Sequence, residues 1–183
     1  DYLRKKVLDE IGFSKKAYCL KDGFGVSMGG SGLMATSRDL MLFALLILKQ
    51  GKLNAKQYVP ADYIKEATSF QTATCVTGPV PSESQGYGLQ FWIGEHSSIV
   101  CYGSYDFENC AAIDGMGGQL VILLPEYNTA IVTTADTQGY QGGNQVIYDA
   151  IFRHILPELE KKKAPWTPTG KEKLAFEQFM SKL

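Results

Sequence analysis

The chain has 183 residues, enough to bury a sizeable core and by length about one domain. A hydrophobic share of 45% and an aromatic share of 11% exclude a disordered polypeptide. A formal charge of -1 offers no field for nucleic acid or an anionic membrane, and no apolar run approaches the roughly 20 residues of a membrane span.

In chain order, residues 3–11 predict a helix that stops at Gly12, and residues 14–28 a loop with a turn at Asp22-Gly23. Thr36 or Ser37 can cap the next helix, with Asp39 in its first turn. Leu40, Phe43, Ala44, Ile47 and Leu48 carry its apolar spacing, and Gly51 ends it. Pro60 opens a second helix over 61–70, and Gly78, Pro79 and Pro81 mark 72–85 as a loop. The period then changes. Segments 87–95, 99–102, 110–113, 119–124 and 129–135 read as strands of one antiparallel sheet, with 125–128 as a hairpin turn. A helix over 144–156 should pack on that sheet through Val146, Ile147, Ala150 and Ile151, and Pro157 should end it. Lys161 to Lys163, a linker over 164–170 and an amphipathic helix over 171–183 follow.

The most informative stretch is Asp114-Gly115-Met116-Gly117-Gly118-Gln119, which breaks one apolar run and launches another. Glycine serves where φ must be positive or where something must lie against bare backbone. The cluster therefore reads either as a surface kept open for a ligand or as a bulge that only turns a sheet. Tyr87 and Trp92 have the same two readings, a substrate wall or, more commonly, cross-strand packing.

Gly29 to Leu40 running into an apolar helix, then Tyr63 to Ala67, then Tyr87-Gly88-Leu89-Gln90-Phe91-Trp92 and Gly118 to Glu126 form an ordered set. In this order and spacing, the chain from residue 1 to about 156 resembles the C-terminal half of the serine β-lactamase-like family. That family includes class C β-lactamases, penicillin-binding DD-peptidases and related esterases and amide hydrolases. The resemblance implies an α+β fold, an antiparallel β-sheet with flanking helices that forms part of the β-lactamase/DD-peptidase sandwich. It divides the chain into a helical segment over 1–86, the sheet and its covering helix over 87–160, and a linker and terminal helix over 161–183.

The family's chemistry needs Ser-x-x-Lys for the nucleophile and its base, then Tyr-x-Asn. Neither pattern occurs in the sequence, so no catalytic residue is assigned here and the chain reads as a fragment. The nucleophile and base are then expected in a missing N-terminal part of the same protein. The resemblance puts the family's third motif at Ile113-Asp114-Gly115, where relatives of the β-lactamase type carry Lys or His and then Thr or Ser. Apolar Ile113 cannot hold a substrate carboxylate, which moves weight towards an esterase, an amidase or an inactive homologue. The resemblance also implies a backbone N–H near Met116 that completes an oxyanion hole, a role independent of side chains. Ile113, Asp114, Gly115, Met116 and Gly117 are thus the expected substrate or oxyanion side. Asp114 as a mere cap of the glycine turn is the competing reading.

The expected partner is a small-molecule or peptide-like acyl substrate, with self-association if part of the sheet is left open, and without nucleic acid, metal or cofactor. The family points to a bacterial periplasmic, cell-surface or secreted protein. Ser181-Lys182-Leu183 matches a peroxisomal address in letters only. Gly30-Ser31-Gly32 lacks the second flanking glycine of a nucleophile elbow, and Thr169-Gly170-Lys171 lacks the upstream glycine of a phosphate loop. Four cysteines without C-x-x-C spacing and two histidines argue against a zinc site. A hairpin centred on 105–106 would place Cys101 opposite Cys110, close enough for a disulfide in the favourable pair type.

Overall fold

A computed structural model describes residues 2–73, 86–94, 110–139, 141 and 143–161. Its centre is a six-stranded antiparallel meander. In chain order its strands are β5 (Thr72–Ala73), β6 (Gly86–Tyr87), β7 (Trp92–Gly94), β8 (Cys110–Gly115), β9 (Gln119–Leu124) and β10 (Thr129–Thr133). Four earlier strands, β1 (Tyr18–Cys19) with β2 (Leu33–Met34) and β3 (Lys52–Leu53) with β4 (Lys56–Gln57), form two small hairpin sheets.

Strand alternation sorts the side chains of β8 and β9 onto two faces. Cys110, Ala112, Leu120, Ile122 and Leu124 meet Tyr148, Ile151 and Phe152 of the C-terminal helical run. On the other side Ala111, Val121 and Leu123, with Phe91 and Ile93, meet Ala44 and Ile47 of helix α1 (Ser37–Leu48) and Ile64 and Ala67 of helix α2 (Ala61–Ala67). The expected covering by the C-terminal helix is therefore met, and the opposite face is packed by helices of the same chain. Near-continuous burial along β9 follows from this double covering.

Helix α1 begins as its sequence demands. The Thr36 hydroxyl accepts from the Asp39 N–H at 3.2 Å, while the Asp39 carboxylate accepts from the Thr36 N–H at 2.9 Å and its hydroxyl at 2.8 Å. The carboxylate also reaches 25 positions back to accept from the Ser14 N–H at 2.6 Å. Arg4, in a π-type turn over Arg4–Leu8, donates to the carbonyls of Ser14 and Ala17 and pins the same loop from its other side. Asp39 is only 2% exposed. Burial pushes its carboxyl up, but the Ser14 and Thr36 donors and the Arg4 charge outweigh that, leaving it below the ordinary carboxylate value.

Several elements differ from expectation. The 14–28 loop contains β1, and its tip is an Asx turn in which the Asp22 carboxylate accepts from the N–H groups of Phe24 and Val26, each at 2.9 Å. Helix α2 stops at Ala67 rather than Phe70, because the Thr68 hydroxyl bonds back to the Ile64 carbonyl and the Ala67 carbonyl accepts from Leu89. The strand expected over 87–95 is broken by a turn with Gln90 at φ 70°, giving two short strands whose Tyr87 and Trp92 lie opposite each other. Their rings meet edge-to-face with centroids 5.0 Å apart, the packing role of aromatics on paired strands.

The C-terminal helix is continuous from α3 (Gln145–Ala150) through a π-type turn (Ile151–Ile155) into α4 (Leu156–Lys161). Pro157 does not end it, because the π-type turn directly before it loosens the helix where the proline ring and its missing N–H must be accommodated. The packed stripe is Ile147, Tyr148, Ile151 and Phe152, whereas Val146 and Ala150 face outward.

The residue of β7 opposite Cys110 is Gly94; Cys101 and the strand expected over 99–102 lie outside the described residues, as do the linker and helix over 164–183. Cys110 is buried with a free thiol, and burial alone raises its proton affinity. Native-state alkylation with iodoacetamide should therefore modify half-buried Cys19 before Cys110 and leave Cys110 untouched until unfolding, as read by peptide mass spectrometry. No described helix is long and apolar enough to cross a membrane, and no cluster of metal-ligating side chains is found among the described residues.

Candidate functional site

The β8–β9 hairpin carries the glycine cluster at one end of the sheet. Gly115 pairs with Gln119, so Met116, Gly117 and Gly118 form the whole connection. A hydrogen bond from the Gly118 N–H to the Gly115 carbonyl, 3.3 Å, closes a β-turn with Gly117 at its third position. Gly117 has φ 84°, the positive value a type II turn requires there. Gly118 follows at φ 92°, where a Cβ would run into Ile147, Ala135 and Thr137. Met116 stands at the tip, 86% exposed.

What surrounds this turn is a set of donors aimed at its carbonyls. Asn144 Nδ2 donates to the Gly115 carbonyl at 3.0 Å and to the Asp114 carboxylate at 2.7 Å. The Thr137 N–H donates to the Gly117 carbonyl at 3.1 Å, and the Thr133 hydroxyl to the Gly118 carbonyl at 2.9 Å. Gln119 Nε2 bridges the carbonyls of Ala135, at 2.5 Å, and Gly117, at 3.3 Å. Thr137 in turn donates its hydroxyl proton to Asn144 Oδ1 at 2.8 Å.

This has a directional consequence. All described peptide bonds are trans, and in a planar trans peptide the C=O and the following N–H point in opposite directions. The Gly115 carbonyl is turned inward, onto Asn144 and Gly118, so the Met116 N–H points outward from the hairpin end.

The sequence-predicted residues divide accordingly. Gly115, Met116 and Gly117 lie together in the turn. Ile113 faces the α1 and α2 side, half-buried against that core. Asp114 faces the C-terminal helix, where its carboxylate accepts from Asn144 and, at 3.0 Å, from the Tyr148 hydroxyl. It binds the helix to the strand rather than capping the glycines. Burial pushes the Asp114 carboxyl up, and the Asn144 and Tyr148 donors offset only part of that. A raised folded value means that ionising Asp114 opposes folding, so this group subtracts stability as pH rises from its ordinary value through the raised one.

Asn144, Thr133, Thr137 and Tyr148 were not among the residues expected at the site. The one signal for them is Gly143-Asn144 directly before an amphipathic run, which marks a helix start. Cavities among the described residues lie elsewhere. One of about 360 Å³ sits at the opposite end of the sheet beside Cys110, Leu123 and Glu126, and one of about 740 Å³ lies beside Arg4, Cys19 and Met28.

No family model matches the sequence, and no curated protein does. Solved structures do. The chain superposes on a protein assigned as a 6-aminohexanoate-dimer hydrolase from Bacillus anthracis with TM-score 0.67 and 23% identity, over 88% of this chain and 38% of that one. A β-lactamase from Mycobacterium bovis matches with TM-score 0.61 and 22% identity, over 86% of this chain and 55% of the other. A protein assigned as a β-lactamase from Bacteroides dorei gives 0.57 and 15%, over 82% and 49%. The likeness establishes the fold: an antiparallel sheet with flanking helices, as in β-lactamase-like hydrolases. The chain spans between 38% and 55% of the length of these proteins.

Proposed function

We propose that this chain is the C-terminal, oxyanion-side part of a β-lactamase-like serine hydrolase whose nucleophile and base precede it in a longer polypeptide. The observation that supports the reading most is the β8–β9 turn, where the carbonyls of Gly115, Gly117 and Gly118 are drawn inward and the Met116 N–H is left pointing out. A fixed outward amide is what an oxyanion needs. It costs no reorganisation when charge develops, and the donor itself is backbone, whatever side chain stands at 116.

In the proposed reaction a serine Oγ attacks the carbonyl carbon of an ester or amide while the neighbouring lysine takes its proton. The carbonyl oxygen becomes an oxyanion that accepts from the Met116 N–H and the nucleophile's own N–H. Collapse expels the alcohol or amine, which takes the proton, and water then cleaves the acyl-serine. Ile113 and Asp114 supply no cation for a substrate carboxylate, which favours simple esters and amides over β-lactams and D-Ala-D-Ala peptides. The same missing cation also fits a non-catalytic homologue that keeps the cleft and only binds.

Treating the full-length protein with a fluorophosphonate probe separates the two. We expect one stoichiometric adduct, on a Ser-x-x-Lys serine upstream of this chain, and weaker labelling by a fluorescent penicillin. No adduct in the full-length protein would leave the binding reading. Stoichiometric acylation of a serine within residues 1–183 would overturn the assignment of the nucleophile to another segment.

A further inference from the structure

We propose that Asn144 is a positioning residue that sets the direction of the Met116 amide; this rests on the hydrolase reading. One side-chain amide makes both decisive bonds. Its Nδ2 donates to the Gly115 carbonyl at 3.0 Å and to Asp114 Oδ1 at 2.7 Å, while its Oδ1 is filled by the Thr137 hydroxyl at 2.8 Å. An amide with its oxygen occupied by a donor and both its protons occupied by acceptors cannot flip without losing all three bonds.

The Gly115 carbonyl has a second, longer partner in the Gly118 N–H, 3.3 Å. That bond closes the turn but belongs to the turn itself, so it moves with it. Asn144 belongs to another element, at the start of the C-terminal helix that packs through Tyr148, Ile151 and Phe152 on the sheet. It therefore references the 115–116 peptide to the body of the protein. A glycine-rich connection with two residues at positive φ has several accessible peptide orientations, and the Asn144 bond selects the one that turns the Met116 N–H outward. Asp114 completes the device by orienting Asn144, and Tyr148 holds Asp114 through its second oxygen at 3.0 Å.

The test is kinetic, in the full-length protein. Asn144→Ala should lower the rate constant for acylation by p-nitrophenyl acetate about 10- to 100-fold, part of the loss seen when an oxyanion donor is removed outright, with KM changed less than twofold. Thr137→Val, which removes only the bond to Asn144 Oδ1, should lower it in the same direction and less, and serves if Asn144→Ala does not fold. Ile151→Val, a core change on the same helix away from the turn, should lower Tm comparably to Thr137→Val and leave the rate constant unchanged. Equal acylation rates in wild type and both turn variants would overturn the positioning role alone. A wild-type protein that the ester does not acylate would overturn the hydrolase reading and this inference with it.

Discussion

Gly118→Ala is expected to cost about 3 kcal/mol of folding stability, against about 1 kcal/mol for Gly117→Ala one position earlier. Both glycines have positive φ, 84° and 92°, so both substitutions pay the left-handed penalty of an L side chain. They differ in what the new Cβ meets. At Gly117 the nearest atoms are the far ends of Gln138 and Gln119, at 3.5 Å and beyond, which are ordinary contacts. At Gly118 the Cβ falls 2.7 Å from Ile147 Cδ1 and 2.9 Å from Ala135 Cβ. Ile147 can rotate aside only by leaving its place on the core, and the Ala135 Cβ is fixed to its backbone. Urea denaturation of the two variants against wild type measures the difference. Equal midpoints would mean that the 115–119 connection is not wedged between the helix and the strand end as described.

That contrast also separates architecture from site. Gly118 is required by packing, whereas Gly117 is required by the turn, and a Cβ there would make only ordinary contacts. A sequence reader sees only a run of glycines. Strand alternation, the amphipathic run before Pro157 and a Thr36 or Ser37 cap with Asp39 in the first turn announced most of the fold, because each is a local pattern with a fixed geometry. The break between β6 and β7 was hidden because Gln90 is not a residue that advertises a positive φ. Continuation of the helix through Pro157 was hidden because the π-type turn that accommodates it has no compositional mark. Of the site, the turn itself was legible from its glycines. The reach of Asn144 to Gly115 across 29 positions was not, since it exists only once the helix has docked on the sheet. Asp114 shows the limit from the other side: its position in the motif suggested the cleft, and only the strand's alternation on a doubly covered sheet sends its carboxylate to the helix instead.

Asp39→Ala should be as damaging as Gly118→Ala, about 3 kcal/mol, for a wholly different reason. Asp39 Oδ1 serves the Ser14 N–H and Oδ2 serves both the N–H and the hydroxyl of Thr36, all in a setting that leaves the residue 2% exposed. Removing the carboxylate strands two backbone donors and opens the first turn of α1, the helix that packs on β9 and β10 and covers one sheet face. Asp39→Asn keeps one acceptor oxygen but sets an amide donor against another donor, so it should cost about 2 kcal/mol at neutral pH. The pH dependence identifies the charge. The folded carboxyl lies below its ordinary value of 3.8, so its contribution is complete above that value and disappears as pH falls through the lower folded one. Wild type should therefore lose stability relative to Asp39→Asn on acidification, and the gap between their denaturation midpoints should narrow steadily from about pH 4 downward. A gap that stays constant down to pH 2 would mean that the ionised carboxylate contributes nothing beyond its shape, and that the Arg4 charge and the Ser14 and Thr36 donors do not favour its charged form.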